Sequence, residues 1–476
     1  MRIATAILAV CAWVCGFVVP VSAHAAEAFG PLPPQNPFMA PAGLAGEHNN
    51  AESSDAGPLP GPGAVLSAVI PYPLLADCAT ITQGTDGLVV GLCTADLGQA
   101  PSVLLIDPGG IIPNPVPLAS LKVAKGSLLG GVYAYLDNDN QLVLIDGNNQ
   151  LLRIAHAQKA WGRWQLTTTS SVDLSSVIGP GDSAIALVPD DQGNVWFATQ
   201  NGVVGVSKTA GGVSGLQLPA GEGVFNSISS SPSNRVAVAT TFALYELTLG
   251  GAGNPQILWR APYDRGPGRK PGQLSWGTGS TPVYFGPTTG ADYLSILDNA
   301  VPYEHALIYQ SGTGQLICEQ PVLTQSGSES GSENAPIGIG KSFFISSTYG
   351  YQYPALPAGA PPSVPATAPF VGGMTRVDID NPGCHTVWDN NTVRSAALPH
   401  LSTADSLIYT ITRIGPLNTT PLDIFAYGVV DPSTGKLAAQ QPKSVTLLSD
   451  PLQTPSMVLV NSRIMQPNTT GLSRIG

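Results

Sequence analysis

Short apolar runs alternate with polar turns along most of this chain. Eight runs of three to five residues, rich in β-branched and aromatic side chains, recur every 40 to 65 residues and are flanked by Gly, Asp, Asn or Pro. They occupy residues 88–92, 132–136, 195–199, 236–240, 293–297, 343–346, 407–411 and 463–465. This pattern predicts short β-strands joined by tight turns.

The unit around residue 132 shows the pattern most clearly. Four apolar runs, at 121–129, 132–136, 142–145 and 151–154, include two that end in the turns Asp-Asn-Asp-Asn and Asp-Gly-Asn-Asn. Such a unit predicts a four-stranded antiparallel meander, and its repetition is typical of a β-propeller. We therefore expect an all-β fold with one propeller of eight four-stranded blades. A ring of seven blades is the first alternative, and a pair of β-sandwiches is the second.

The two ends of the repeat region complement each other. The last unit, residues 456–475, has room for about three strands, and the apolar stretch 64–70 is a lone strand before the first unit. An N-terminal strand that completes the final blade would close the ring and remove its open sheet edges.

Composition narrows the classes of function. Charged residues make up only 11% of the 476 residues, and the chain holds 54 Gly and 44 Pro, which excludes coiled coils and helical repeats. The hydrophobic fraction of 43% excludes a wholly disordered chain. A net charge of −11 argues against a nucleic-acid partner, because such proteins present a basic surface.

The N-terminal region predicts export. Arg2 precedes an apolar run at residues 3–21, and Ala23-His24-Ala25 offers the small residues that a signal peptidase requires. We expect a signal peptide at 1–25, a disordered tether rich in Pro and Gly at 26–63, and the propeller domain at 64–476. An uncleaved membrane anchor is the alternative for the first segment. The mature protein is expected to be secreted or periplasmic, without a membrane span, and monomeric.

Four cysteines remain after signal cleavage, which favours disulfides in an exported chain. Cys78 and Cys93 are symmetric about the turn at 84–87, so a hairpin folded there places them opposite each other. Cys318 and Cys384 occupy similar places in consecutive units. Equivalent outer strands of neighbouring blades are expected to lie too far apart for a bridge, so this pair needs an irregular loop or stays as two buried thiols.

Several stretches resemble known repeats. Residues 104–110 and 431–436 look like the strand–turn–strand of quinoprotein (PQQ-like) propellers. Residues 285–300, 318–334 and 384–402 resemble an uncharacterised group of secreted bacterial PQQ-like propellers. The resemblance covers the second half well and the first half loosely. It implies a single propeller domain and no established activity.

The chain departs from the quinoprotein pattern at functional positions. True repeats carry a Trp shortly after the Thr-Gly turn, whereas this chain has Ala439 after Thr434-Gly435 and Cys318 after Thr313-Gly314. The adjacent cysteine pair of several quinone-binding dehydrogenases is also missing. These departures argue against a bound quinone, and the residues identify no other cofactor.

A binding site is predicted on one face of the ring. Asp298 and Asn299 follow a second strand, while Glu333, Asn334 and Arg394 each precede an innermost strand. In a propeller these positions open on the same face. An arginine among carboxylates and amides can bind an anion or a sugar through paired hydrogen bonds. The alternative is an ion-pair network that ties units five, six and seven together.

No metal site is expected, although Asp298, Glu304, His305, Glu333 and His400 would supply ligands if their loops shared a face. Three long insertions, at 262–273, 300–305 and 349–372, indicate which face carries the functional site. Long loops in compact repeat domains are often functional. The residues favour an exported, non-catalytic module that binds a small molecule, a glycan or a protein. The alternative is a propeller enzyme, such as a lyase, a lactone hydrolase or an oxidoreductase, with its site at the axial channel.

Overall fold

A computed structural model describes residues 29–95, 99–109, 116–126, 133–327, 329–380, 382–420, 422–445 and 447–476. The predicted signal peptide lies outside these residues. The described chain forms eight sheets arranged as a closed propeller, which confirms the all-β, eight-bladed prediction. Among the described residues, helix is limited to three short 3₁₀ turns, at Ala160–Gly162, Thr324–Ser326 and Leu447–Ser449. In the described part, no helix is long and apolar enough to cross a membrane.

Blades one to four follow the chain from the innermost to the outermost strand. Two short strands come before blade one in the chain. They are β1 (Ala56–Gly57), which lies beside β27, and β2 (Val69–Tyr72), which closes the ring. The strands of these four blades are β3 (Asp77–Gln83), β4 (Val89–Thr94), β5 (Ser102–Ile106), β6 (Ala119–Lys122), β7 (Ala134–Leu136), β8 (Leu142–Ile145), β9 (Gln150–Gln158), β10 (Trp164–Asp173), β11 (Ala184–Pro189), β12 (Val195–Thr199), β13 (Val203–Ser207), β14 (Val213–Gln217), β15 (Ser229–Ser231), β16 (Arg235–Ala239), β17 (Ala243–Leu249) and β18 (Pro255–Pro262).

Blades five to seven repeat this order, and blade eight is built from both ends of the chain. Their strands are β19 (Val283–Phe285), β20 (Tyr293–Leu297), β21 (His305–Gln310), β22 (Leu316–Pro321), β23 (Ile337–Ile339), β24 (Ser342–Ser346), β25 (Met374–Asp380), β26 (Gly383–Asn390), β27 (His400–Ser402), β28 (Leu407–Ile414), β29 (Ile424–Val430), β30 (Leu437–Val445), β31 (Met457–Val458), β32 (Ile464–Asn468) and β33 (Gly471–Ile475).

The burial of the inner strands explains why the sequence predicted them. In blade three, every residue of β11, β12 and β13 is buried, whereas the outermost strand β14 is half exposed. Strands covered on both faces read as continuous apolar runs, and outer strands alternate with polar residues. The core therefore lies between neighbouring blades, in the inner three strands of each.

Ring closure agrees with the prediction, with a small shift along the chain. Strand β2 pairs antiparallel with β33, with Val69 opposite Ile475 and Tyr72 opposite Leu472. The predicted stretch was 64–70, but Leu66 instead donates its backbone N–H to the Gln441 side chain 2.6 Å away in blade seven. Pairing with blade eight begins only after the chain has passed that strand.

The predicted four-stranded unit around residue 132 was wrong by one strand. Strand β6 pairs with β5 and so belongs to blade one, while blade two ends with β10. Strand β10 was not predicted from the sequence, because most of its residues are polar and exposed. An outer strand can be held by its backbone ladder without an apolar face.

Both cysteine pairs form disulfides, Cys78–Cys93 and Cys318–Cys384. Cys78 lies opposite Cys93 in the β3–β4 ladder, as the turn symmetry predicted. Cys318 and Cys384 lie on β22 and β26, the outermost strands of blades five and six, with their Cα atoms 6.0 Å apart. The expectation that outer strands are too far apart was wrong, because these two edges meet directly. Disulfides are typical of oxidising compartments.

The N-terminal residues differ most from expectation. Residues 36–57, here called the channel segment, lie inside the ring, where Asn36, Met39, Leu44, Glu52 and Asp55 are among the buried side chains. The structure thus shows an ordered insert where the sequence suggested a disordered tether.

Backbone hydrogen bonds hold the channel segment to successive innermost strands. Its carbonyl oxygens accept from the N–H groups of Gln83, Leu136, Ser230, Tyr284, Gly338 and Leu401, in blades one, two, four, five, six and seven. Strand β1 also pairs in parallel with β27. The segment has no hydrophobic period, because backbone hydrogen bonds rather than an apolar face anchor it to the strands. Small residues such as Ala51 and Ala56 are buried along it.

Candidate functional site

One face of the ring carries all five residues of the predicted site. Asp298 and Asn299 lie between β20 and β21, Glu333 and Asn334 between β22 and β23, and Arg394 between β26 and β27. We call this the loop face, since the chain crosses it to enter each next innermost strand. The shared face follows from topology, but the five side chains do not converge on one point.

Asp298 closes its own turn. Its carboxylate accepts from the backbone N–H of His305 at 2.6 Å and lies 2.8 Å from the His305 Nδ1 atom. The hydrogen bond that the His305 ring donates to Asp298 raises the pKa of His305, although burial opposes it. Glu319 completes a group of three possible metal ligands, which includes only two of the five residues considered from the sequence. Glu304 and Glu333 are not part of this group, and His400 faces the channel segment, where it contacts Asn49.

Asn299 holds the 262–273 insertion in place. Its amide nitrogen donates to the carbonyl oxygens of Arg265 and Gly268, at 2.6 and 3.0 Å. Its amide oxygen accepts from Gln273 at 3.0 Å. Gly266 has a φ of +60°, and a side chain there would collide with the Asn299 backbone oxygen. Asn299 is therefore a positioning residue for this insertion.

The buried Lys270 also holds this insertion in place. Its ammonium donates to the carbonyl oxygens of Ala300 and Ser330, at 2.6 and 2.8 Å, and lies 3.7 Å from Glu304. Burial raises the pKa of Glu304 to about 7, although the Lys270 charge opposes this. Lys270 was not among the predicted site residues, and its only signal in the sequence was its place in a long insertion.

Glu333 is buried with one oxygen unpaired. The Leu274 backbone N–H donates to its carboxylate, while its Oε2 atom has no hydrogen-bond partner among the described residues. Burial raises the pKa of Glu333 well above its usual value, and the nearby Glu304 adds to the rise. The neighbouring Asn334 donates to Ser346 at 2.9 Å and so ties its own loop to blade six.

Arg394 does not sit among these carboxylates. Its guanidinium donates to the carbonyl oxygens of Gly415 and Pro416, at 2.8 and 2.6 Å, and lies 5.2 Å from the centre of the Phe370 ring. It therefore clamps the loop between β28 and β29. The expected arrangement of one arginine surrounded by Asp298 and Glu333 is not what the structure shows.

The three tyrosines of the 349–372 insertion also have internal partners. Their hydroxyl groups donate to Glu329, Asp450 and Gln453. Tyr351 packs edge-on against Tyr353 with ring centres 4.8 Å apart. These partners belong to other loops, so the insertion packs on its neighbours, and its residues 357–361 line a cavity on the loop face.

A cavity with a volume of about 490 Å³ opens on the loop face. We call it the loop-face cavity, and its size is within the range of small-molecule sites. Loops of blades three and four form one wall, and the insertions at 262–273 and 349–372 contribute the others. Its lining residues are Gln200, Asn201, Gly221, Glu222, Gly223, Phe225, Thr241, Arg265, Leu274, Ser275, Trp276 and 357–361.

Arg265 is the positive group of this cavity. Its guanidinium carbon lies 3.6 Å from the centre of the Phe242 ring and 4.1 Å from that of Trp276. The Trp276 indole N–H donates to the Arg265 carbonyl oxygen at 3.0 Å, which fixes the two residues together. Burial lowers the pKa of Arg265, while the nearby Tyr263 and Glu222 oppose this.

Glu222 is the negative group, and its oxygens are already used. One accepts from Arg260 at 2.6 Å, and the other accepts from Thr240 and Tyr245 at 2.7 and 2.9 Å. Glu222, Arg265 and Trp276 were not among the predicted site residues. Arg265 lay within an insertion that the sequence marked, but only the fold brings it beside Trp276 and the blade-four loop.

A small inner chamber lies below the loop-face cavity, with a volume of about 30 Å³. Phe225 and Leu274 line both spaces, so these side chains separate them. Glu333 lines the chamber from the loops, and Glu47 and His48 line it from the channel segment. Burial raises the pKa of Glu47 to about 7. The channel segment therefore reaches almost to the loop face.

No protein-family model and no curated protein matches this chain. Among solved structures, a quinohemoprotein alcohol dehydrogenase from Comamonas testosteroni is similar over 93% of this chain and 80% of that chain, with 10% identity and a TM-score of 0.54. A europium-containing methanol dehydrogenase is similar over 89% of each chain, also with 10% identity and a TM-score of 0.54. Identities this low show the fold and nothing about activity. The chain is an eight-bladed β-propeller, and its fold is similar to that of these two dehydrogenases.

Proposed function

We propose that this protein is an exported, non-catalytic propeller that binds a small molecule or a glycan in the loop-face cavity. One observation carries the proposal: loops from two blades and two long insertions enclose a cavity of about 490 Å³ that offers both aromatic and polar side chains. Aromatic faces with a few polar groups are typical of ligand sites. The mature protein is a monomer in this proposal.

The filled axial channel weighs against the enzyme alternative. A fused-ring quinone needs a deep slot, but the channel segment occupies the axis and leaves a chamber of about 30 Å³ below the loop face. Such a space holds only a water molecule or two. The residues present therefore do not fit a quinone in the channel, and we derive no reaction step through one.

A ligand screen with a blocked cavity tests the proposal. Thermal shift and calorimetry with a panel of saccharides, organic acids and dipeptides should find ligands for the native protein. Ala358→Trp should abolish their binding, because Ala358 is an exposed residue of the cavity rim. Ala252→Trp is the matched control, since Ala252 lies in an exposed turn outside the lining. Ligands that bind both variants equally would contradict this site.

Export has a separate test. Sequencing the N-terminus of the protein recovered from the periplasm or medium should give a chain that begins at Ala26. The disulfides Cys78–Cys93 and Cys318–Cys384 support this assignment, because they persist in oxidising compartments. A full-length chain retained in the cytoplasm would contradict it.

A further inference from the structure

Arg265 differs from the buried arginines of the described residues. Those five, Arg269, Arg376, Arg394, Arg413 and Arg474, all donate hydrogen bonds to carbonyl or carboxylate oxygens. Arg265 is half-buried, and its guanidinium donates no hydrogen bond in the described part of the chain. Its Nε atom is buried without a partner, as are the Nε atoms of Arg394 and Arg474. An acceptor from a ligand could pair with the terminal N–H groups of this guanidinium and supply hydrogen bonds that the protein itself does not provide.

The surrounding rings hold Arg265 ready for such an acceptor. Phe242 and Trp276 contact its guanidinium at 3.6 and 4.1 Å, measured from its central carbon to the ring centres. Rings that stack on a guanidinium cover its faces and leave its N–H groups available along its edges. Little side-chain freedom is then lost on binding, which favours affinity.

The charge of the cavity indicates the charge of the ligand. Glu222 and Arg265 are the charged residues of its lining. Glu222 is paired with Arg260 at 2.6 Å, so its charge is balanced without Arg265. One unmatched positive charge remains, and it matches a ligand with one negative charge better than a dianion.

We propose that Arg265 is the anion-recognition residue of the loop-face cavity, and that the ligand carries one carboxylate on a sugar or aromatic ring. A planar carboxylate pairs with two guanidinium N–H groups at once. Phe225 and Trp276 offer aromatic surface to the ring, and Gln200, Thr241 and Ser275 offer polar groups to its substituents. This inference rests on the proposed function, because it assigns the ligand of the same cavity.

Matched acids and neutral compounds test the inference. Calorimetry at low salt would compare glucuronate with glucose, benzoate with benzyl alcohol, and each acid with inorganic phosphate. At least one acid should bind about 10- to 100-fold more tightly than its neutral partner, the worth of a hydrogen-bonded charge. Arg265→Met, which keeps an apolar stem between the rings, should remove that difference. Arg163→Met is the control, because Arg163 is exposed in the turn between β9 and β10.

Added salt gives a second readout that does not depend on a folded variant. Acid binding to the native protein should weaken as salt rises, since charge pairing is screened. Acids that bind no better than their neutral partners, or phosphate that binds more tightly than both acids, would overturn the inference. In those cases the Ala358→Trp screen still decides whether the cavity binds ligands. If Ala358→Trp abolishes the binding of none of the ligands in that screen, the proposed function is overturned instead.

Discussion

The His48 Nδ1 atom lies 3.1 Å from an Asp55 carboxylate oxygen, and both side chains are buried inside the ring. The His48 Nε2 atom lies 3.2 Å from the Thr281 hydroxyl at the start of blade five. Burial lowers the pKa of His48, but Asp55 and Glu47 outweigh it, so that pKa is raised. This pair closes the turn of the channel segment and anchors it to the blades.

Removal of residues 26–57 should therefore destabilise the ring. The deletion exposes the apolar contacts of Met39 and Leu44 and leaves backbone N–H groups of six blades without acceptors. The two side chains alone are worth about 3–6 kcal/mol of unfolding free energy. Chemical denaturation of the full and shortened mature chains measures the loss. A shortened chain of equal stability would mean that the segment is a dispensable tether.

Glu333→Gln should raise the melting temperature above neutral pH and leave it unchanged near pH 4. An unfolded Glu ionises near its ordinary pKa of 4.5, whereas burial holds the folded pKa well above that. The native state therefore retains the Glu333 proton to higher pH than the unfolded state does. The contribution of this group to the unfolding free energy is fully present below pH 4.5 and is lost as the pH rises toward the folded pKa. The gain should be about 1–3 kcal/mol, the cost of a buried polar group without a partner. Calorimetry across pH checks this, and a variant that is less stable at pH 8 would refute it.

The disulfide between blades five and six should contribute more stability than the one inside blade one. The Cys318–Cys384 bridge closes a 66-residue separation and the Cys78–Cys93 bridge a 15-residue one. Loop-closure entropy gives about 4 and 3 kcal/mol respectively. Denaturation of the Cys318→Ser/Cys384→Ser and Cys78→Ser/Cys93→Ser variants measures both losses. Equal stability of the first variant and the native protein would show that the blades hold together without the bridge.

Removal of residues 452–476 should leave an insoluble or protease-sensitive product. The truncation deletes β31, β32 and β33, so β2 loses its partner and the flanks of blades one and seven are exposed. Limited proteolysis and thermal denaturation would follow the effect. Cooperative melting near the full-length temperature would count against closure by the two chain ends.

Arg394→Ala should lower the unfolding free energy by about 1.5–3 kcal/mol, the worth of hydrogen bonds from a charged donor. The substitution frees the carbonyl oxygens of Gly415 and Pro416. Arg163→Ala, at an exposed turn, is the control. A variant with unchanged stability but impaired ligand binding would restore the predicted binding role of Arg394.

Local patterns in the sequence determined the blades and their closure. Alternating turns and apolar runs mark strands covered on both faces, such as β12 and β20. The spare strand at the N-terminus and the short last unit implied the β2–β33 pairing. The symmetry of Cys78 and Cys93 about their turn implied their bridge, because a hairpin register is a local property.

Only the tertiary structure decided what fills the ring and what lines its cavity. The channel segment bonds through backbone groups to strands up to hundreds of residues away, and backbone groups leave no mark in a sequence. Cys318 and Cys384 lie on the edge strands of two different blades. Arg265 and Glu222 lie on loops that follow different blades. Their distances depend on how the blades pack around the axis. A repeating sequence therefore specifies each blade, while closure of the ring decides which of its polar residues meet.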